Sequence, residues 1–173
     1  MHDLRAVPSG TITVAAGQAA CTARDIPANV PITADLVRRA ADQGAELLVL
    51  PELFLTGYEL QAIVADPQTY TVSPADTRLD PLAIACAETR TAVAVGAPTR
   101  GTEGLHISAL VLRRDGRFAA QYDKQHVDPA ERAAGFRPGA SGSRSDRGSG
   151  WNPTLSAATA TDGCATCGAM TAR

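Results

Sequence analysis

The stretch Leu47-Leu48-Val49-Leu50-Pro51-Glu52 decides the fold. Four apolar residues in unbroken succession lack the alternation of a strand with one wet face. They read as a short strand covered on both faces, the habit of parallel sheets. Pro51 ends the run, since it brings no N–H to a ladder. Glu52 then stands at the strand's C-terminal edge, where α/β sheets place their ligands. Partial burial there raises a carboxyl pKa towards the range useful to a general base. The plainer alternative is a solvated glutamate at a strand–loop junction.

Working outward, residues 32–43 carry Ile32, Leu36, Val37, Ala40 and Ala41 at helical spacing, with Pro31 in the first turn and Gly44 as the C-cap. Before it, Thr11-Ile12-Thr13-Val14-Ala15-Ala16, flanked by Gly10 and Gly17, reads as a buried strand. After Glu52, residues 56–77 read as loop-rich. Asp80-Pro81 then looks like N-cap and first position of a helix running to about residue 91. Ala92-Val93-Ala94-Val95 is a second short buried strand, followed by Gly96-Ala97-Pro98. Residues 107–112 and 118–122 flank Arg114-Asp115-Gly116, where Asp-Gly signals a hairpin. Strand, helix, strand, helix, strand, hairpin is the order of an α/β layered domain.

The chain has 173 residues, room for one ordinary domain, and at 45% hydrophobic and 20% charged it has the composition of a soluble globular protein. No apolar run approaches a membrane span, and Met1-His2-Asp3-Leu4-Arg5 lacks the order of a signal peptide. A cytoplasmic protein, away from membranes, is expected. A net charge of -2 with scattered arginines argues against nucleic acid as a partner.

Lys124, in Gln121-Tyr122-Asp123-Lys124-Gln125-His126-Val127, is the only lysine, so a site needing an amine has one candidate. Its ammonium could stabilise negative charge developing on a substrate, or it could be a plain surface lysine. Glu131, in Pro129-Ala130-Glu131-Arg132, could be a second carboxylate near the site or half of a surface pair. His2, His106 and His126 lack partners at ligand spacing and read as structural. Cys21 and Cys86 sit in Ala-rich surroundings and read as small buried hydrophobes. Cys164-Ala165-Thr166-Cys167 could be a redox pair or half a zinc site, but no second Cys/His pair accompanies it.

After Pro138-Gly139 the character changes. Residues 141–150 contain only Gly, Ser, Arg and Asp, and residues 154–173 are dominated by small residues with no sustained period. Two segments are expected: a domain over 1–142, and an atypical tail over 143–173 that is disordered or a shifted reading of the frame.

Together these pieces resemble the nitrilase superfamily of carbon–nitrogen hydrolases, over about residues 12–139. Gln18 and Asn29 match positions after the first strand and before the first helix. Residues 40–58, ending Leu50-Pro51-Glu52-Leu53-Phe54-Leu55-Thr56-Gly57-Tyr58, resemble the family's glutamate motif. Val95-Gly96-Ala97-Pro98 and Ser108-Ala109-Leu110-Val111-Leu112 through Asp115-Gly116 match its middle strands. Tyr122-Asp123-Lys124-Gln125-His126-Val127 resembles its lysine motif, with Pro138-Gly139 following.

The resemblance implies an αββα sandwich, present here as its front portion, and a Glu–Lys–Cys triad working without metal or organic cofactor. Glu52 would be the general base, Lys124 would stabilise the tetrahedral intermediate, and Glu131 would help position the substrate. The substrate implied is a small amide, nitrile or N-carbamoyl compound, and a homo-oligomer is implied for an intact member. The nucleophile departs from the pattern. Ala160 occupies the position where the family has its cysteine, and Cys164 is the nearest thiol beyond it. An inactive fragment or pseudoenzyme is therefore the alternative to an active hydrolase.

Overall fold

A computed structural model describes residues 11–139, with the backbone of 144–145 and 168–172. Strands β1 (Ile12–Ala16), β2 (Leu47–Val49) and β3 (Ala92–Gly101) run parallel, and β4 (Gly104–Leu112) and β5 (Phe118–Asp123) continue the sheet antiparallel. Two further strands, β6 (Arg144–Ser145) and β7 (Gly168–Ala172), pair antiparallel with β5 and β1 and give the order β6-β5-β4-β3-β2-β1-β7. The rest of the expected tail, including Ala160, Cys164 and Cys167, lies outside the described residues.

The helices are α1 (Ile26–Asp42), α2 (Leu60–Ala65), α3 (Pro67–Tyr70), α4 (Asp80–Thr89) and α5 (Pro129–Ala134). α1 and α4 cover one face of the sheet. Their Val30, Leu36, Val37, Leu82 and Cys86 form one core with Leu48, Val93, Val95 and Leu110. Alternate strand residues Val49, Ala94, Val111 and Ala120 belong to the opposite face, where small side chains form a separate cluster. The hydrophobic run of β2 is thus apolar on both sides, as its sequence requires.

Several boundaries differ from expectation. α1 begins at Ile26, because the Asp25 carboxylate accepts the Ala28 N–H at 2.9 Å and caps the helix there. Pro31 and Asn29 are consequently inside the helix. The Gly44 stop is observed: with φ of 78° it follows the C-cap Gln43, and its N–H bonds the Ala41 carbonyl at 2.8 Å. Asp80 is the first residue of α4 and not its cap, since a 3-10 turn over Thr77–Leu79, capped by Asp76, leads directly into it. The loop-rich stretch holds α2 and α3. β3 runs on through Gly96-Ala97-Pro98 to Gly101, and Thr102-Glu103 turn it tightly into β4. The expected hairpin at Asp115-Gly116 is present, with Gly116 at φ 79°.

Candidate active site

Glu52 is held by a turn that the chain would not adopt without support. Leu53 has φ of 54°, a conformation that costs a residue with a Cβ about 1–2 kcal/mol. Its side chain is fully buried in a cluster with Ile63, Ile107, Val127, Ala134 and Phe136, which offsets that cost. Val127 lies just after Lys124 and Leu53 just after Glu52, so one apolar cluster ties both charged residues to the same end of the sheet.

Backbone bonds complete the alignment. Leu50 N donates to Ala94 O at 2.9 Å, Leu55 N to Gly96 O at 3.1 Å, and Lys124 N to Ile107 O at 2.8 Å. Gly96 lies directly under the Glu52 turn: a Cβ there would stand 2.6 Å from Leu53 N and 2.7 Å from Glu52 Cα. The buried Asn29 amide donates to Leu55 O at 3.0 Å and to Thr22 O at 2.7 Å, fastening the turn to the loop before α1.

The charged ends meet. Lys124 Nζ lies 3.0 Å from Glu52 Oε2 and 2.7 Å from Glu131 Oε1, so one ammonium is shared by two carboxylates. The Glu131 side chain has no exposure, whereas those of Lys124 and Glu52 are 28% and 41% exposed. Glu131 is therefore no surface pair with Arg132. Its Oε2 accepts the Asp128 N–H at 2.9 Å, closing a capping box in which Asp128 receives the N–H groups of Ala130 and Glu131. The tyrosine hydroxyl of Tyr58 donates to Glu131 Oε1 at 2.7 Å.

The two carboxyl groups are driven apart in acidity. Burial pushes Glu52 above the ordinary glutamate range and outweighs the lowering by Lys124. Burial acts the same way on Glu131, but hydrogen bonds from Lys124, Asp128 and Tyr58 prevail and hold it below that range. Lys124 is raised, its burial being outweighed by its bonds to both carboxylates. One group of the pair is thus a standing anion and the other the readier proton acceptor.

Among the described residues, none of the remaining candidates hydrogen-bonds to Glu52, Lys124 or Glu131. His106 is buried, with Nδ1 3.0 Å from the Arg137 carbonyl, a structural contact, and His126 is exposed. His2 lies outside the described residues. Cys86 is fully buried, its thiol pushed up to about 12 by that burial, but Cys21 is only half-buried against expectation. Among the described residues, no group of three or more His, Cys, Asp or Glu is arranged to hold a metal ion. Among them, no helix is long and apolar enough to cross a membrane. Sequence reasoning missed α5, Asp128 and the contact of Tyr58. The pattern Asp128-Pro129-Ala130-Glu131 carried the signal for the first two: a capping residue, a proline at the first position, and glutamate at the third.

Comparisons with known proteins agree on one family. The family model described as carbon-nitrogen hydrolase matches residues 13–168. An amidase variant from Nesterenkonia sp. AN1, solved in complex with acrylamide, superposes with a TM-score of 0.63 at 29% identity, over 79% of this chain and 52% of that one. A second variant of that amidase, in complex with butyramide, matches with a TM-score of 0.63 at 30% identity, over 78% of this chain and 51% of that one. The glutamine-dependent NAD(+) synthetase of Mycobacterium tuberculosis strain H37Rv is 31% identical over 114 residues, 66% of this chain and 16% of the synthetase. The chain thus spans about half the length of the amidases and a sixth of the synthetase. With a mixed sheet that superposes on a nitrilase-superfamily amidase and a family match over most of its length, the chain belongs to the carbon–nitrogen hydrolases.

Proposed function

We propose that the protein hydrolyses the carbon–nitrogen bond of a small amide, with Glu52 as general base, Lys124 as the cation facing the reacting oxygen, and Glu131 as the anchor of Lys124. The observation that carries this reading is the Lys124 ammonium lying between two carboxylates of opposed acidity, 3.0 Å and 2.7 Å away. A glutamate with a raised pKa takes a proton at neutral pH more readily than an ordinary one. Glu131, held below the ordinary glutamate range, keeps the ammonium charged and directed at neutral pH.

In the reaction, Glu52 takes the proton of a cysteine thiol as the sulfur attacks the amide carbon. Lys124 stabilises the oxyanion that forms. The C–N bond then breaks, and the nitrogen leaves as ammonia or an amine with the proton that Glu52 returns. Water, deprotonated by Glu52, attacks the thioester and releases the acid and the thiol. Cys164 is the thiol candidate. A nitrile or N-carbamoyl compound would meet the same groups. A second reading, favoured by Ala160 at the position where the resemblance leads one to expect the thiol, is a family member without turnover.

Fluoroacetamide separates the two. In an amidase variant from Nesterenkonia sp. AN1 its acetamide moiety adds covalently at the active site cysteine. Mass spectrometry of the treated chain should find that moiety on Cys164, and ammonia release from a small amide should fall about 10²-fold or more in Lys124→Ala and in Glu52→Gln. Labelling spread evenly over the four cysteines, or ammonia release that ignores both substitutions, would overturn the proposal.

A further inference from the structure

Tyr58 has no step in the reaction above, yet its hydroxyl lies inside the ion cluster. The residue as a whole is 53% exposed. Gly57, at φ 72°, turns the chain immediately before it. Its Oη lies 2.7 Å from Glu131 Oε1 and 3.5 Å from Asp128 Oδ2. The same Oε1 accepts from Lys124 Nζ at 2.7 Å, while the other oxygen of Glu131 is taken by the Asp128 N–H at 2.9 Å. A half-exposed tyrosine is thus committed to a carboxylate that is itself fully buried.

We propose that Tyr58 is a positioning residue for the proposed hydrolysis: by donating to Glu131 Oε1 it moderates that oxygen's hold on the Lys124 ammonium and keeps the ammonium within reach of Glu52. The electrostatics give the sign. Lys124 is shared by two anions, and a donor on one of them weakens its competition for the cation. Without the hydroxyl, Glu131 loses a donor that favours its charged form, so its titration moves up. Lys124 is drawn further towards Glu131, so Glu52 loses part of the interaction that lowers its own pKa. Both carboxyl titrations move in the same direction. Burial and the neighbouring Glu131 charge oppose formation of the phenolate, so the hydroxyl remains a donor well past neutral pH.

The test uses the single lysine as its reporter. Isotopic labelling of lysine Cε gives one signal, that of Lys124, whose shift follows the titration of both carboxylates. In the unaltered chain it should show two steps as pH falls. In Tyr58→Phe both steps should move to higher pH, with the circular-dichroism spectrum retained. Tyr70→Phe removes a phenol that makes no hydrogen bond to Glu52, Lys124 or Glu131, and should leave both steps in place. Steps unmoved by Tyr58→Phe, or moved equally by Tyr70→Phe, overturn this inference alone and leave the proposed function standing. A signal blind to carboxyl titration in the unaltered chain removes the ion cluster itself, and both proposals with it. Should Tyr58→Phe fail to fold, Tyr58 can be read directly in the Tyr70→Phe, Tyr122→Phe double variant, where it is the only tyrosine left. Its phenolate absorbance should rise only above the ordinary phenol range, and a phenol titrating within that range overturns the inference.

Discussion

Replacing Gly96 by alanine perturbs the site from beneath without touching a charged group. The added Cβ would lie 2.6 Å from Leu53 N and 2.7 Å from Glu52 Cα, and closer still to the Pro51 carbonyl oxygen. All three are backbone atoms, so no side chain can rotate out of the way. Ordinary contact requires the Glu52 turn to lift off β3 by about 1 Å. Overpacking of this kind costs about 1–3 kcal/mol. In a chain of this size each kcal/mol lowers Tm by about 2–4 °C, so a fall of about 2–12 °C is expected. The same displacement stretches the 3.0 Å contact between Glu52 and Lys124 beyond hydrogen-bonding reach. A misplacement of that size can cost about 10²-fold in a catalysed step. Gly44→Ala is the control. A Cβ there meets nothing within 4 Å, but φ is 78°, so that variant should lose about 1–2 kcal/mol by strain and leave the site untouched. Thermal melts followed by circular dichroism, paired with the rate of fluoroacetamide labelling, read both effects. The reasoning is refuted if Gly96→Ala melts with the unaltered protein, or if it slows labelling no more than Gly44→Ala does.

Glu131→Gln should cost on the order of 2 kcal/mol at neutral pH, because it discharges a buried partner of Lys124. Glu131 is held below its ordinary range, so its contribution is present above the unfolded-state pKa and is lost as pH falls through the folded one. Melts should therefore converge on the unaltered protein in acid, and a gap independent of pH would contradict this. Glu52→Gln should behave oppositely. The raised pKa of Glu52 means that its ionised form costs stability, so the variant should gain relative to the unaltered chain as pH rises through the folded pKa. A relative loss over that window, read by the same melts, would reverse the sign of the argument. The reading without turnover makes its own prediction, checked by sequencing the coding DNA. One of the other two frames beyond codon 143 should encode an apolar run leading into Cys-Tyr-Asp, and two frames without it would remove a shifted frame as the explanation.

The sequence was most legible where one physical demand acted alone. The apolar run at Leu47–Val49 could only be a strand covered on both faces, and Asp115-Gly116 could only be a tight turn. It was least legible where two signals competed. Pro31 looked like the start of α1, but the Asp25 cap lies further upstream, and the helix tolerates the proline in its interior. Gly96-Ala97-Pro98 looked like the end of β3. Gly96 is there because the Glu52 turn crosses it, and Pro98 remains in the strand opposite Ile107. Glu52, Lys124 and Glu131 were named by motif resemblance, whereas spacing alone left each with a plain surface alternative. The burial of Glu131 and its bond to Tyr58 join residues 73 apart in sequence, and no local period encodes that.

The central claim, that the Glu52–Lys124–Glu131 cluster belongs to a working hydrolase, is tested most directly by ammonia release from small amides. Purified chain should be incubated with acrylamide, butyramide and related amides beside its Glu52→Gln and Lys124→Ala variants. The account predicts release by the unaltered chain that falls about 10²-fold or more in each variant. Release unaffected by either substitution, or none from a folded chain whose lysine signal still reports both carboxylates, would contradict it.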